Sequence, residues 1–244
     1  MIEIKNLTKT YGKKVKAVDD ITLMVHSGKI FGFLGTNGAG KTTTIKLITG
    51  ILEADSGSIG INGIDLKTES IHAKNNIGYV SDDADVFLRL KGIEYLNFMA
   101  DIYGVDQATR KERIAVFSKR LDMDNALSDK IQSYSHGMRQ KIVIMGALIH
   151  KPAVWILDEP LHGLDPKSAF VLKEMMREHV SDGNTVFFST HVLEVAEKLC
   201  DMVSIVNKGR IQFTGNLDDL KAEQSRDGSL EALFLEMTKD EEIN

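Results

Sequence analysis

Ile30-Phe31-Gly32-Phe33-Leu34 runs straight into Gly35-Thr36-Asn37-Gly38-Ala39-Gly40-Lys41-Thr42. The first five residues are a short apolar run suited to a buried strand. Lys41 to Thr49, closed by Gly50, reads as a helix with a glycine C-cap. Between them, Gly35 to Thr42 fits G-x-x-x-x-G-K-[ST] in the strand–loop–helix setting that this pattern requires. Its three glycines let the backbone wrap closely and turn N–H groups inward, and the helix start adds about half an elementary positive charge. Such a loop cradles phosphates. Gly35, Thr36, Asn37, Gly38, Ala39, Gly40, Lys41, Thr42 and Thr43 are the expected contacts, with Lys41 on the β and γ phosphates and the Thr42 hydroxyl on magnesium.

A second polar element closes another buried-type run. Val154-Trp155-Ile156-Leu157 ends in Asp158-Glu159, two acids at the carboxyl end of a strand, where an open α/β sheet holds its ligand. Asp158 fits a magnesium-holding carboxylate, and Glu159 is placed to polarise an attacking water. With a phosphate loop in the same chain, hydrolysis is the expected chemistry.

Further out, Ile2 and Ile4, then Ile21, Leu23 and Val25, then Ile59 and Ile61 before Asn62-Gly63, predict antiparallel strands in the first 64 residues. Helical periodicity takes over from Gly92 to Ile149, with Ile114, Phe117 and Leu121 and then Ile142, Met145 and Ile149 at helical spacing. After it a parallel-sheet pattern resumes: Ala153 to Leu157, a helix from Asp165-Pro166, Thr185 to Ser189, a helix from His191 to Cys200, and Met202 to Val206. Leu230, Leu233, Phe234 and Met237 predict a docked C-terminal helix, with the last acidic residues frayed. Cys200, Met175 and Met176 read as core positions of their helices.

The 244 residues, 43% hydrophobic and 27% charged, have the balance of a globular protein. With 30 basic against 35 acidic residues and a net charge of −5, the chain lacks the field expected of a nucleic-acid binder. Its single cysteine, Cys200, forbids an intrachain disulfide and points to a reducing compartment. The longest apolar stretch, Ile142 to Ile149, is too short to span a bilayer, and the start has no secretory or transit pattern. A cytoplasmic protein is expected.

With Ser135-His136-Gly137-Met138 preceding the second acidic motif, the chain resembles, over essentially its whole length, the nucleotide-binding subunit of ATP-binding cassette (ABC) transporters. The resemblance implies an α/β fold: a P-loop core with a mixed, largely parallel sheet, an N-terminal antiparallel β subdomain and an inserted helical subdomain. A single domain over 1–244 then divides into a β-rich and P-loop core (1–84 and 151–215), a helical subdomain (85–150) and a helical tail (216–244). It also implies an ATPase that uses ATP and Mg2+ and dimerises head to tail, as a homo- or heterodimer. Each nucleotide then lies between one phosphate loop and the other subunit's Ser135, His136, Gly137 and Met138. Tyr11 resembles the aromatic that stacks on adenine, with Val18 nearby. Asp165 resembles the residue coupling the two sites, and His191 the histidine on the γ phosphate. The competing readings by chemistry alone are a simple helix cap for Ser135 and for His191, and loop packing for Tyr11.

Three features depart from the family pattern. The signature usually reads L-S-G-G-Q, whereas Tyr134, His136 and Met138 replace the leucine, the first glycine and the glutamine; Ser135 and Gly137 survive, and His136 is expected to face solvent. Asp82 stands where the family supplies a glutamine to magnesium, although Asp83 and Asp85 beside it fit an ordinary acidic loop. His162, before Gly163, has no role that the sequence explains. The expected partners are separate transmembrane permease subunits that dock near Asp82 to Tyr103 and hold the chain at the cytoplasmic face of the membrane. Export is the direction favoured by analogy. The alternative is an ATPase of the same kind that clamps or regulates without transport, though such proteins generally carry tandem cassettes or coiled-coil insertions. A GTPase fails because Asn207-Lys208 continues to Gly209-Arg210 and not to the aspartate of N-K-x-D.

Overall fold

A computed structural model describes residues 1–12, 15–85, 87–216 and 230–238. Its strands are β1 (Ile2–Tyr11), β2 (Val15–Val25), β3 (Ile30–Leu34), β4 (Ser56–Ile61), β5 (Ile64–Asp65), β6 (Ile77–Val80), β7 (Val154–Asp158), β8 (Thr185–Thr190), β9 (Met202–Asn207) and β10 (Arg210–Gly215). The helices are α1 (Lys41–Ile48), α2 (Ser70–Asn75), α3 (Gly92–Ile102), α4 (Gln107–Arg120), α5 (His136–Leu148), α6 (Pro166–Ser181), α7 (Leu193–Leu199) and α8 (Leu230–Thr238).

The strands form two sheets. One is antiparallel, in the order β2-β1-β4-β5, and the other runs β10-β9-β3-β8-β7-β6. In the second sheet β9, β3, β8, β7 and β6 are parallel and β10 is an antiparallel edge. The fold is α/β, with α3, α4 and α5 inserted between β6 and β7. Asn62 and Gly63 turn β4 into β5 with φ of 50° and 80°, the left-handed pair that a two-residue hairpin demands.

The central strands are apolar throughout because both faces are covered. Along β7, Val154 and Ile156 enter one core with Phe31, Phe33, Phe187 and α1, under the antiparallel sheet. Trp155 and Leu157 enter the other with α3–α6, Val186 and Phe188. Phe31 and Phe187 stack at 5.7 Å across β3 and β8. Leu172, Met175 and Met176 are buried in α6, as their spacing predicts. Phe234 of α8 is buried in a third cluster with Leu34, Ala196, Val203 and Ile205, so this helix docks on the sheet. The fraying expected at the end of the chain lies outside the described residues.

One boundary differs from expectation. The helix after β8 begins at Leu193 and not at His191. Thr190 Oγ1 accepts a hydrogen bond from the Val192 amide at 3.0 Å, which holds 190–192 in a turn and puts His191 before the helix. Cys200 is half-buried, and burial pushes its thiol pKa up, in keeping with a core residue.

Two histidines are packed in their neutral form. His150 stacks on Tyr103 with ring centroids 3.6 Å apart, and its Nε2 lies 3.2 Å from the Ile77 carbonyl. His179 meets Trp155 edge to face at 5.6 Å. Burial lowers both pKa values from the ordinary 6.5 to about 4. The folded chain therefore resists a proton that the unfolded chain accepts, so stability is full above pH 6.5 and falls as pH drops toward 4. Each ring withdraws on the order of 1–2 kcal/mol in that window, allowing for partial exposure. Urea unfolding at pH 7.5, 6 and 5 is expected to show this loss, and His150→Phe, which keeps a ring on Tyr103, to remove about half of the slope.

Candidate functional site

The carboxyl ends of β3, β8, β7 and β6 lie side by side, with Leu34 opposite Thr190, Asp158 opposite Ser189 and Val80 opposite Leu157. Every polar residue picked out in the strand–loop segments of the sequence follows one of these ends. Gly35–Gly40 leaves β3, Asp82 follows β6, Asp158 and Glu159 end β7, and His191 follows β8. This is the crevice in which open parallel sheets bind ligands.

Gly40 is the N-cap of α1 with φ 106° and gives no side-chain cap. A Cβ there would lie 2.3 Å from the Ala17 carbonyl oxygen, so only glycine fits. The amides of Lys41, Thr42 and Thr43 open the helix without intrahelical acceptors, which makes this terminus a place for an anion. Lys41 is only 6% exposed. Its Nζ donates to the carbonyls of Gly35 (2.8 Å) and Thr36 (3.2 Å) and lies 3.5 Å from Glu159 Oε1. A cleft of about 220 Å³ is lined by Thr36, Asn37, Gly38, Gly40, Lys41, Thr42 and Thr43, and on its other side by Asp82, Glu159 and Ala17. Gly35 and Ala39 do not line it: the Ala39 methyl is buried in the core, and its amide and carbonyl bond to Thr36 and Gly209.

Asp158 is 1% exposed. Its Oδ1 accepts from the Ser189 hydroxyl, the nearby Thr42 side chain favours its charged form, and Oδ2 is buried with no partner. Burial raises its pKa, and Asp82 and Glu159 nearby add to the rise. A buried carboxylate oxygen without a partner is costly, and a hard divalent cation held by Asp158 and Thr42 would satisfy it. The same Ser189 oxygen accepts from the Glu159 amide at 3.0 Å. Glu159 takes φ of 47°, a left-handed conformation unusual for a non-glycine residue. That turn points its carboxylate back over the loop, with Oε1 3.0 Å from His191 Nδ1. Lys41, Glu159 and His191 are thus joined through one carboxylate. Ser189 was not singled out from the sequence; its signal was its place at the end of a buried run next to the one ending in Asp158.

Two residues of the expected base-binding side lie outside this cleft. Val18 is fully buried in the core beneath the antiparallel sheet, because β2 turns it inward, and its neighbour Ala17 lines the cleft. Tyr11 is 45% exposed at the tip of the β1–β2 hairpin opposite Val15 and does not line the cleft.

Ser135, His136, Gly137 and Met138 do not line it either. Ser135 is exposed and caps α5, its Oγ accepting from the Met138 amide at 3.3 Å. Met138 departs from expectation: its side chain packs on the helical core, and only its backbone belongs to the exposed turn. Tyr134 does the work of the usual leucine, 4% exposed and with its hydroxyl donating to the Ala126 carbonyl at 2.6 Å. His136 is exposed, as expected, but its ring lies against Gly163, where a Cβ would come within 2.2 Å of it. It also meets His162 edge to face at 6.0 Å, which supplies the missing account of His162. Asp165 caps α6, and hydrogen bonds from the Ser168 hydroxyl and amide lower its pKa to about 2. Lys141 of α5 lies 3.8 Å from it.

Comparison with known proteins agrees with this geometry. Residues 18–162 match the ABC transporter family. The linearmycin resistance ATP-binding protein LnrL of Bacillus subtilis is 36% identical over 90% of this chain and 70% of its own. A solved ATP-binding subunit of an ABC transporter superposes with a TM-score of 0.92 at 34% identity, covering 98% of this chain and 99% of that one. A dimeric cassette, MJ0796, solved in a post-hydrolysis state with ADP and Pi, shares the fold at 22% identity with a TM-score of 0.81 over 89% of this chain and 99% of its own. A phosphate loop, a buried acid beside it and these matches lead to one conclusion: the chain belongs to the ABC transporter family, as an ATP-binding subunit and ATPase.

Proposed function

We propose that this chain is the motor of an export system, hydrolysing ATP in a head-to-tail dimer and driving separate membrane-spanning subunits. The observation that carries the reading is the division of the site. The phosphate loop, Asp82 and Glu159 line one cleft, with Asp158 buried beside it and His191 hydrogen-bonded to Glu159, while Ser135 and Gly137 stand outside it at the start of α5. A second copy facing the first would bring that terminus to the open side of the nucleotide. The dimer described for MJ0796 supports this arrangement.

Within one subunit, the loop amides and Lys41 bind the β and γ phosphates. Asp158 and Thr42 would hold Mg2+, with Asp82 at the same cleft, and the ion would supply positive charge against the phosphate oxygens. Glu159 accepts the proton of the attacking water. Hydrogen-bonded to Glu159, His191 fixes the direction of that carboxylate and reaches the γ phosphate. Tyr11 stacks on the base from the hairpin tip, and Asp165, tied to both α5 and α6, carries information between the sites.

Among the described residues no helix is long and apolar enough to cross a membrane. The docking face for the membrane subunits is read at the start of the inserted helices. There Phe87, 48% exposed, contacts Phe98, 41% exposed, at 5.4 Å and Tyr95 at 5.6 Å. An exposed aromatic cluster suits the insertion of a partner's apolar side chains. The chain then sits on the cytoplasmic face of the membrane. Export is supported by the resistance function in LnrL's name.

Lys41→Ala is expected to weaken ATP binding at least tenfold, read by titration with a fluorescent ATP analogue. Glu159→Gln is expected to retain binding while kcat falls by about 10²–10³. Light scattering of the Glu159→Gln protein is expected to show a dimer only with ATP and Mg2+, and adding Ser135→Arg to abolish it. ATP turnover by Glu159→Gln at the parental rate would remove Glu159 from the role of base.

A further inference from the structure

The loop that follows Asp82 is fastened to the helix that begins after Ser135. Ser81 Oγ accepts from the Asp83 amide at 3.2 Å, and Asp83 Oδ1 accepts from the Asp85 amide at 2.9 Å. The Asp85 carboxylate then pairs with Arg139 of α5 through Nη1. The other terminal nitrogen, Nη2, donates to the Gln132 carbonyl at 3.0 Å, in the short turn before Ser135. The Arg139 amide closes the first turn of α5 on the Ser135 carbonyl, also at 3.0 Å. One side chain therefore touches the loop, the approach to Ser135 and the helix that Ser135 caps.

The far end of the same loop is held differently. Backbone bonds run from Gln132 to Leu88 and from Ile131 to Leu90, each at 2.9 Å, so 88–90 and 131–132 move as one piece. The stretch from Asp82 to Asp85, next to the cleft, meets that piece through the Asp85–Arg139 pair. The Asp85 side chain is 53% exposed, whereas that of Arg139 is mostly covered at 22%, its Nε buried without a partner. As a contribution to fold stability an ion pair this open is worth little. Its geometry suits a different task. A planar guanidinium that bonds two segments at once sets their relative position more firmly than a point charge does.

We propose that Arg139 and Asp85 are positioning residues that couple occupation of the cleft at Asp82 to the placement of Ser135 on the face presented to the second subunit. A shift of the loop toward bound nucleotide pulls on Asp85, and through Arg139 it turns the start of α5. The inference rests on the reading of Asp82 and Ser135 given under the proposed function.

The test compares Asp85→Ala, Arg139→Ala, Arg139→Lys and the exchanged pair Asp85→Arg with Arg139→Asp, each combined with Glu159→Gln. For each protein three quantities are read: affinity for a fluorescent ATP analogue with Mg2+, melting temperature, and the protein concentration at half-dimerisation with ATP. Either alanine variant is expected to raise the half-dimerisation concentration about three- to fivefold. Nucleotide affinity is expected to stay within about twofold and the melting temperature within about 2 °C. The exchanged pair restores the ion pair but not the donor to the Gln132 carbonyl, so it recovers only part of the loss, and Arg139→Lys, which loses the bidentate geometry, falls between alanine and parent. Alanine variants that dimerise like the Glu159→Gln parent, or an exchange that dimerises as well as that parent without the Gln132 contact, would overturn the coupling while leaving the proposed function intact. A Glu159→Gln parent that binds nucleotide yet stays monomeric would overturn the head-to-tail reading and the coupling with it.

Discussion

Asp158 is a carboxylate at the end of a strand buried on both faces, and the site is arranged around that fact. Val154 to Leu157 place β7 in the middle of the sheet because their side chains are apolar on both sides, and the strand carries its last residue in with it. A charged group in such a position must be met by hydrogen bonds or by a counter-charge. Ser189, directly opposite on β8, gives its hydroxyl to one oxygen, and Thr42 of α1 approaches from the loop. The second oxygen stays unpartnered. Three elements distant in sequence are thereby fixed around one acid, and its free oxygen is where a hard cation would be held.

Glu159 depends on the same serine. Its amide bonds the Ser189 oxygen, and the left-handed turn that this imposes reverses its carboxylate toward Lys41 and His191. A strained backbone at one residue is retained only where the surroundings over-determine it. Here they do: the strand below, the serine beside it and two cationic or imidazole nitrogens above all hold the same side chain. The strain is thus spent in aiming the group that the proposed mechanism uses as base.

The sequence made the sheet strands, the phosphate loop and the caps of α5 and α6 legible, because each rests on local pattern: continuous apolar runs, a spaced glycine motif, and Ser135 or Asp165 at a helix start. It was less informative wherever a contact joined distant segments. Ser189 is an unremarked serine until β8 lies beside β7. Val18 and Ala17 differ by one residue of strand phase, which decides between core and cleft, and the irregular pairing of β1 with β2 hides that phase from simple alternation. His191 falls outside α7 because of a threonine turn, and His162 acquires a neighbour only when His136 is folded against Gly163. The tyrosine in place of the signature leucine makes sense once its hydroxyl finds the Ala126 carbonyl, which lets a larger ring fill the same buried position.

The helix starts of α1, α5 and α6 are also not equivalent. In α5 and α6 a side chain, Ser135 or Asp165, accepts a first-turn amide of its own helix, so part of the positive end is already satisfied. In α1 the cap is Gly40, which has no side chain to give, and the neighbouring ammonium of Lys41 is buried. The full attraction for an anion is therefore concentrated on α1, and in the proposed dimer the weaker donors of α5 would serve the remaining, outward side of the same phosphates. Such a division suits an enzyme that must bind nucleotide in one subunit first and close on it with another second: a start of α5 as strongly donating as that of α1 would bind phosphate by itself and compete with the cleft it is proposed to complete.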